Sequence, residues 1–237
     1  GAVSHSEILG DVTTGTGVVV NSGSQVTDTN VSGSATAGTG TLLSSNVTRG
    51  HVIGHSSDGV GVAIDKDVTL TDVVVTGMSV SQSGVQVNSK ISNIGDSTIN
   101  GSSEIGAGVS LNGTISGGEL RGHSVSGSGL YITGDSYVNG VNVQSASDQG
   151  AAVQMDGKLS TLGSSLNGQG LPDTEVVDDV RQAAYQQHGV IANTEHMNHP
   201  TVEFGYRGTE NPVSVEICTD SECSRLDVGT LVTPARH

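Results

Sequence analysis

The chain has 237 residues, 33% of them hydrophobic and 2% aromatic, with 9 basic and 24 acidic side chains and a formal charge of −15. So acidic a balance, with no basic stripe, argues against binding a phosphate backbone or an anionic membrane surface. No apolar run is long enough to cross a bilayer, so membrane insertion is not expected either.

The opening stretch, Gly1 to His5, does not read as a signal peptide. From Gly17 onward a short unit recurs seven times, beginning at Gly17, Gly40, Gly61, Gly84, Gly108, Gly129 and Ala152, with spacings of 23, 21, 23, 24, 21 and 23 residues. Each copy is a small residue, two apolar positions around a variable one, and a turn-former. A repeat of this length built from strands and turns is a solenoid signature.

The first apolar column holds Val18, Thr41, Val62, Val85, Val109, Leu130 and Val153; the second holds Val20, Leu43, Ile64, Val87, Leu111, Ile132 and Met155. Alternation at period 2 puts both on one strand face, and β-branched side chains suit that surface. The residue between them then points outward, and its first three members, Val19, Leu42 and Ala63, are apolar. An exposed apolar strip marks an interface. The competing expectation is that residues 1–14 cover it.

Further anchors recur at Val47, Val68, Ile91, Ile115 and Leu159, and near Val31, Val52, Val75, Ile99, Leu120, Val143 and Leu166. Three short strands per turn predict an all-β, right-handed parallel β-helix of about seven coils of 21–24 residues, stacking to roughly 34 Å at the inter-strand spacing. The turn column, Asn21, Ser44, Asp65, Asn88, Asn112, Thr133 and Asp156, is expected to hold corners through local and laddered side-chain hydrogen bonds. Gly113, Gly134 and Gly157 follow directly, as expected where φ is positive.

Composition changes near residue 171: 31 of 35 glycines lie before it, while all four prolines and both cysteines lie after it. The division is a β-helix over 1–170 and a small α+β cap over 171–237. The cap opens on a helix signal, with Asp173 capping, acids in the first turn and Gly189 as a stop. Strand-like runs follow at Val202–Tyr206, 213–217 and 226–232. Cys218 and Cys223 bracket a hairpin loop, where a disulfide suits an oxidising compartment and two reduced thiols are the alternative.

Stretches such as Val20-Asn-Ser-Gly-Ser-Gln-Val26 and Val109-Ser-Leu-Asn-Gly-Thr-Ile115 give residues 15–170 a repeat style rich in Gly, Ser, Thr, Asn and Val and poor in aromatics. In this the chain resembles the passenger regions of secreted bacterial β-helix proteins, of the autotransporter and filamentous-haemagglutinin kinds. The resemblance implies export to the medium or a bacterial surface, and adhesion or aggregation. It implies no catalytic residue, metal or cofactor.

Asp65, Asp67 and Asp72 form the densest acidic group in the repeats. Two acids two apart on a strand edge suit Ca²⁺ binding or polysaccharide cleavage, but Lys66 stands between them and solvated turns are the favoured expectation. His55 and His123 occupy equivalent repeat positions three coils apart, around 14 Å at the layer spacing, too far to share an ion. Glu195, His196 and His199 are the best local metal cluster, against a plain surface loop before Pro200. No nucleophile elbow or phosphate loop is present.

The expected function is therefore non-enzymatic: a secreted or surface-exposed β-helix acting in adhesion, its partner a protein or glycan on a host or bacterial surface, with self-association as a variant. The alternatives are a polysaccharide-degrading β-helix enzyme or tailspike-type depolymerase, and a secreted effector acting through residues 171–237.

Overall fold

A computed structural model describes residues 1–156 together with 159–162, 164–169, 190–191, 197–198, 202–206, 216–217 and 226–227. Strands stack parallel and in register along the whole described repeat region, forming a β-solenoid. Seven coils run from Ala2 to Met155. Coil 1 is Ala2–Ser4 with Glu7–Val20, coil 2 is Gln25–Leu43, coil 3 is Val47–Ser56 with Val62–Ile64, and coil 4 is Val68–Ser79 with Val85–Val87. Coils 5 to 7 each use three short strands, the fifth being Lys90–Ile94, Thr98–Ser103 and Val109–Leu111. The pairings resolve into three walls, met by the chain in the same order in every coil.

The parallel ladders carry on past residue 170. Val190–Ile191, Met197–Asn198 and Val202–Tyr206 pair with Val153–Met155, Leu159–Leu162 and Ser164–Gln169. Glu216–Ile217 and Leu226–Asp227 pair antiparallel, as the flanks of the expected hairpin should. The Cys218–Cys223 pair, the helix expected over 173–189 and the Glu195, His196, His199 cluster lie outside the described residues.

The apolar columns fill the interior. Val18, Thr41, Val62, Val85, Val109, Leu130 and Val153 are mutually in register, and so are Val31, Val52, Val75, Ile99, Leu120, Val143 and Leu166. Leu43, Ile64, Val87, Leu111 and Ile132, on successive rungs, are fully buried. Each such side chain stabilises the stack by roughly 1.5–3 kcal/mol, most of it available only once the next coil covers it.

One column departs from expectation. Val47 pairs with Leu70 rather than Val68, and Leu159 pairs with Ser136. The first slip has a local cause. Leu43 aligns with Ile64 and Val47 with Leu70, so residues 44–46 span what 65–69 span in the next coil and 21–25 in the one before. A slip of two residues leaves every side chain on its own face, so the apolar pattern hides it.

The glycine expectation is corrected too. Gly113 and Gly134 do not have positive φ, and Gly157 lies outside the described residues. Positive φ recurs in every coil at the corner between the first and second walls, at His5 (50°), Asp28 (50°), Arg49 (49°) and Asp72 (53°), then Gly95, Gly117, Gly118 and Gly140, and elsewhere at Gly15, Gly23 and Gly38. A Cβ at Gly113 would overlap the Ser89 carbonyl, and one at Gly134 the Asn112 side chain. At Gly134 the Asn112 side chain has to give way, whereas at Gly113 close approach of backbone, not φ, requires glycine. The same holds at the narrow edge, where Gly54 and Gly77 face Gly61 and Gly84 so closely that a Cβ would strike the opposing carbonyl oxygen.

A buried serine ladder closes this edge. Ser56, Ser79, Ser103, Ser124 and Ser147 each donate to a carbonyl of the preceding coil, as Ser124 does to Gly106 at 2.6 Å. The last four also accept the N–H three residues ahead. The recurring Ser-x-x-Gly spacing was present in the sequence as its signal.

Candidate binding surface on the lateral wall

Val19, Leu42 and Ala63 stack in register on the outside of the third wall. Val19 is 44% exposed, and Leu42 and Ala63 are half-buried. Residues 1–14 do not cover them, because they form coil 1 itself and pair edge-on with coil 2. The strip ends where Gln86, Ser110 and Tyr131 take over the column.

Two residues beyond Leu42 and Ala63 lie Ser44 and Asp65, lining an open groove of about 990 Å³. The short 44–46 connector makes this groove. Its neighbours above and below keep two more residues each, so the wall is indented between them. Side chains repair the ladder across the gap: Ser45 Oγ donates to the Ser24 carbonyl at 2.5 Å, and Asn46 Oδ1 accepts the Thr69 N–H at 2.7 Å. Apart from Gly23 and Val26 the lining residues are polar, with Gln25, Asp65, Lys66, Asp67 and Asn88 among them.

The three acids separate. Asp65 accepts the Ser44 hydroxyl at 2.6 Å, the side-chain rung expected of the turn column. Asp67 accepts the Lys90 N–H at 3.0 Å, closing the start of the next strand. Asp72 is not in the groove lining; it stands at the positive-φ corner and accepts the Asp96 N–H at 3.2 Å. Asp156 sits four register steps from Asp65, as the period required.

At that same corner the register brings together His5, Asp28, Arg49 and Asp72, which the sequence pattern does not mark as a group. Arg49 grips Asp28 with Nε and Nη2, at 2.6 and 2.9 Å, and His5 Nε2 is 3.5 Å from the same carboxylate. The Arg49 hydrogen bond holds the Asp28 carboxyl below its ordinary value, and Asp28 in turn raises Arg49. Their spacing of 21 and 23 residues is the repeat period, so the signal was there once the register is known.

The described histidines stay apart. His55 and His123 lie three register steps from each other, through Met78 and Ser102. His51 Nδ1 is 3.2 Å from Asn30 Oδ1, and His123 Nε2 is 3.2 Å from Asp148 Oδ1. Among the described residues no three His, Cys, Asp or Glu side chains converge to hold a metal. On the far coils the Tyr131 hydroxyl donates to Asp156, which raises its pKa.

Comparison with protein-family models, curated proteins and solved structures returns no match.

Proposed function

We propose that the chain is a non-enzymatic binding rod, secreted or held at a bacterial surface, that adheres to a partner through the lateral wall of coils 1–4. The observation that carries this reading is the contiguity of an exposed apolar strip and a polar groove on the same coils. A rigid stack presents such groups at fixed spacing with little entropy to lose on binding. The resemblance to adhesin passenger repeats supports the same direction. So does the engagement of Asp65 and Asp67 in hydrogen bonds that hold the wall together, with Asp72 set at another corner.

Adhesion to host or bacterial cells by the full chain, compared with Leu42→Asp, tests it. The substitution faces outward from a half-buried strand position and should cost about 1 kcal/mol of stability while abolishing adhesion. Undiminished adhesion by the variant sinks the reading. A second reading, polysaccharide cleavage, keeps one supporting observation, the placement of Asp65 and Asp67 in one groove. Glycan shortening that disappears in Asp65→Asn, Asp67→Asn would establish it instead.

A further inference from the structure

We infer that the groove formed by the short 44–46 connector is a saccharide site, taking a neutral oligosaccharide laid along the solenoid axis. This rests on the reading that the lateral wall binds a partner, and it assigns the polar half of that wall a ligand class. Three features carry it. The first is shape: the groove extends from the loop at Ser22 to Ser89, three layer steps or about 14 Å, room for several sugar rings.

The second is hydrogen-bonding capacity. The side chains of Gln25, Lys66 and Asn88 are exposed in the lining and engaged with no other described group, while Asp65 and Asp67 each commit one oxygen. Donors and acceptors therefore stand on several layers of the groove, in neighbouring columns. That pattern suits a polymer with regularly placed hydroxyls, each able both to donate and to accept.

The third is what the lining repels. Two carboxylates beside one ammonium, on a chain of charge −15, disfavour a polyanion such as a uronate polymer. The lining holds no aromatic ring on which a flat ligand could stack, and its surface is more polar than apolar, which disfavours a lipid or an apolar peptide. The apolar strip Val19, Leu42 and Ala63 begins two residues before the lining and offers its flank to the C–H edges of sugar rings.

The test uses the full chain, titrated with neutral hexose and N-acetylhexosamine oligomers and with oligouronates, followed by NMR or calorimetry. Neutral oligomers should bind in preference to uronates and to their own monosaccharides. The double variant Gln25→Ala, Asn88→Ala should weaken binding about tenfold, the loss of roughly one modest hydrogen bond from each side chain. Both positions are exposed, so circular dichroism and denaturation should be unchanged.

Equal binding of uronates, no binding of neutral oligomers, or an unaffected double variant overturns the inference. If no oligomer binds yet Leu42→Asp still abolishes adhesion, the saccharide site falls and the adhesive wall stands. If oligomers bind as expected yet Leu42→Asp leaves adhesion intact, the adhesive role of the strip falls and the saccharide site stands.

Discussion

At the corner between the first and second walls, coils 1–4 place His5, Asp28, Arg49 and Asp72 where coils 5–7 place Gly95, Gly117, Gly118 and Gly140. The backbone demand is the same in both regions, a left-handed φ at each layer. Glycine meets it without a Cβ penalty, whereas an L-residue there costs roughly 1–2 kcal/mol, less for Asp. The Arg49–Asp28 pair lies at the solvated surface, where water screens it, and returns little. The N-terminal corner is thus the strained one, and its ion ladder only partly offsets the strain. The same coils carry the short connector, the groove and the apolar strip, so the irregular half of the solenoid holds the surface proposed to bind.

The largest effect expected lies in neither corner but at the narrow edge, and it sets the scale for both. Gly54→Val should cost ~3 kcal/mol or more, since its Cβ would meet the Gly61 carbonyl with no flexible group to yield. A urea midpoint near that of the parent would break the close-approach reading. Next comes the serine ladder. Ser124→Ala leaves the Gly106 carbonyl and the Gly127 N–H without their partner and should cost about 1–3 kcal/mol. Exposed Ser126→Ala, two residues on, should cost no more than about 0.5 kcal/mol.

The corners themselves should respond differently. Gly140 has φ of +63° and open space around its missing Cβ, so Gly140→Ala isolates the backbone penalty, about 1 kcal/mol by thermal denaturation. Arg49→Gly removes that penalty together with the ion pair and should come out near zero. A large loss of stability in Arg49→Gly would mean that the ion ladder outweighs the backbone strain.

The smallest effect is pH-linked. Because Asp28 is held below its ordinary pKa, its contribution is present above about pH 4 and fades as pH falls through the folded-state value. Amide exchange around Thr27 and Thr29 should accelerate there more than around Gly140, and Asp28→Asn should remove the difference. The group is exposed, so the shift will be modest and will shrink with added salt.

Much of this could be read from one strand period. Val18, Val20 and Val31 with their counterparts announced two inward columns on one wall and a further column on another, because a valine-rich alternation has few other uses in a glycine-rich repeat. The slip at Val47 escaped notice because two residues added or lost keep parity, and parity is all that the apolar pattern records. Gly113 and Gly134 were assigned the wrong reason for the same kind of cause: a glycine in sequence does not say whether φ or a close neighbour requires it. The strip at Val19, Leu42 and Ala63 was visible as a column, but whether residues 1–14 lay over it depended on where that segment paired.

From the chain alone came the period, the inward columns, the all-β stack and the separation of His55 from His123, since each follows from spacing multiplied by a fixed layer height. The tertiary structure alone decided which residues meet across coils: that 44–46 falls short and indents the wall, that Arg49 lands on Asp28, and that Asp72 leaves Asp65 and Asp67. Those outcomes depend on counts taken between coils, and a connector two residues shorter moves its side chains by a rung without disturbing a single apolar position.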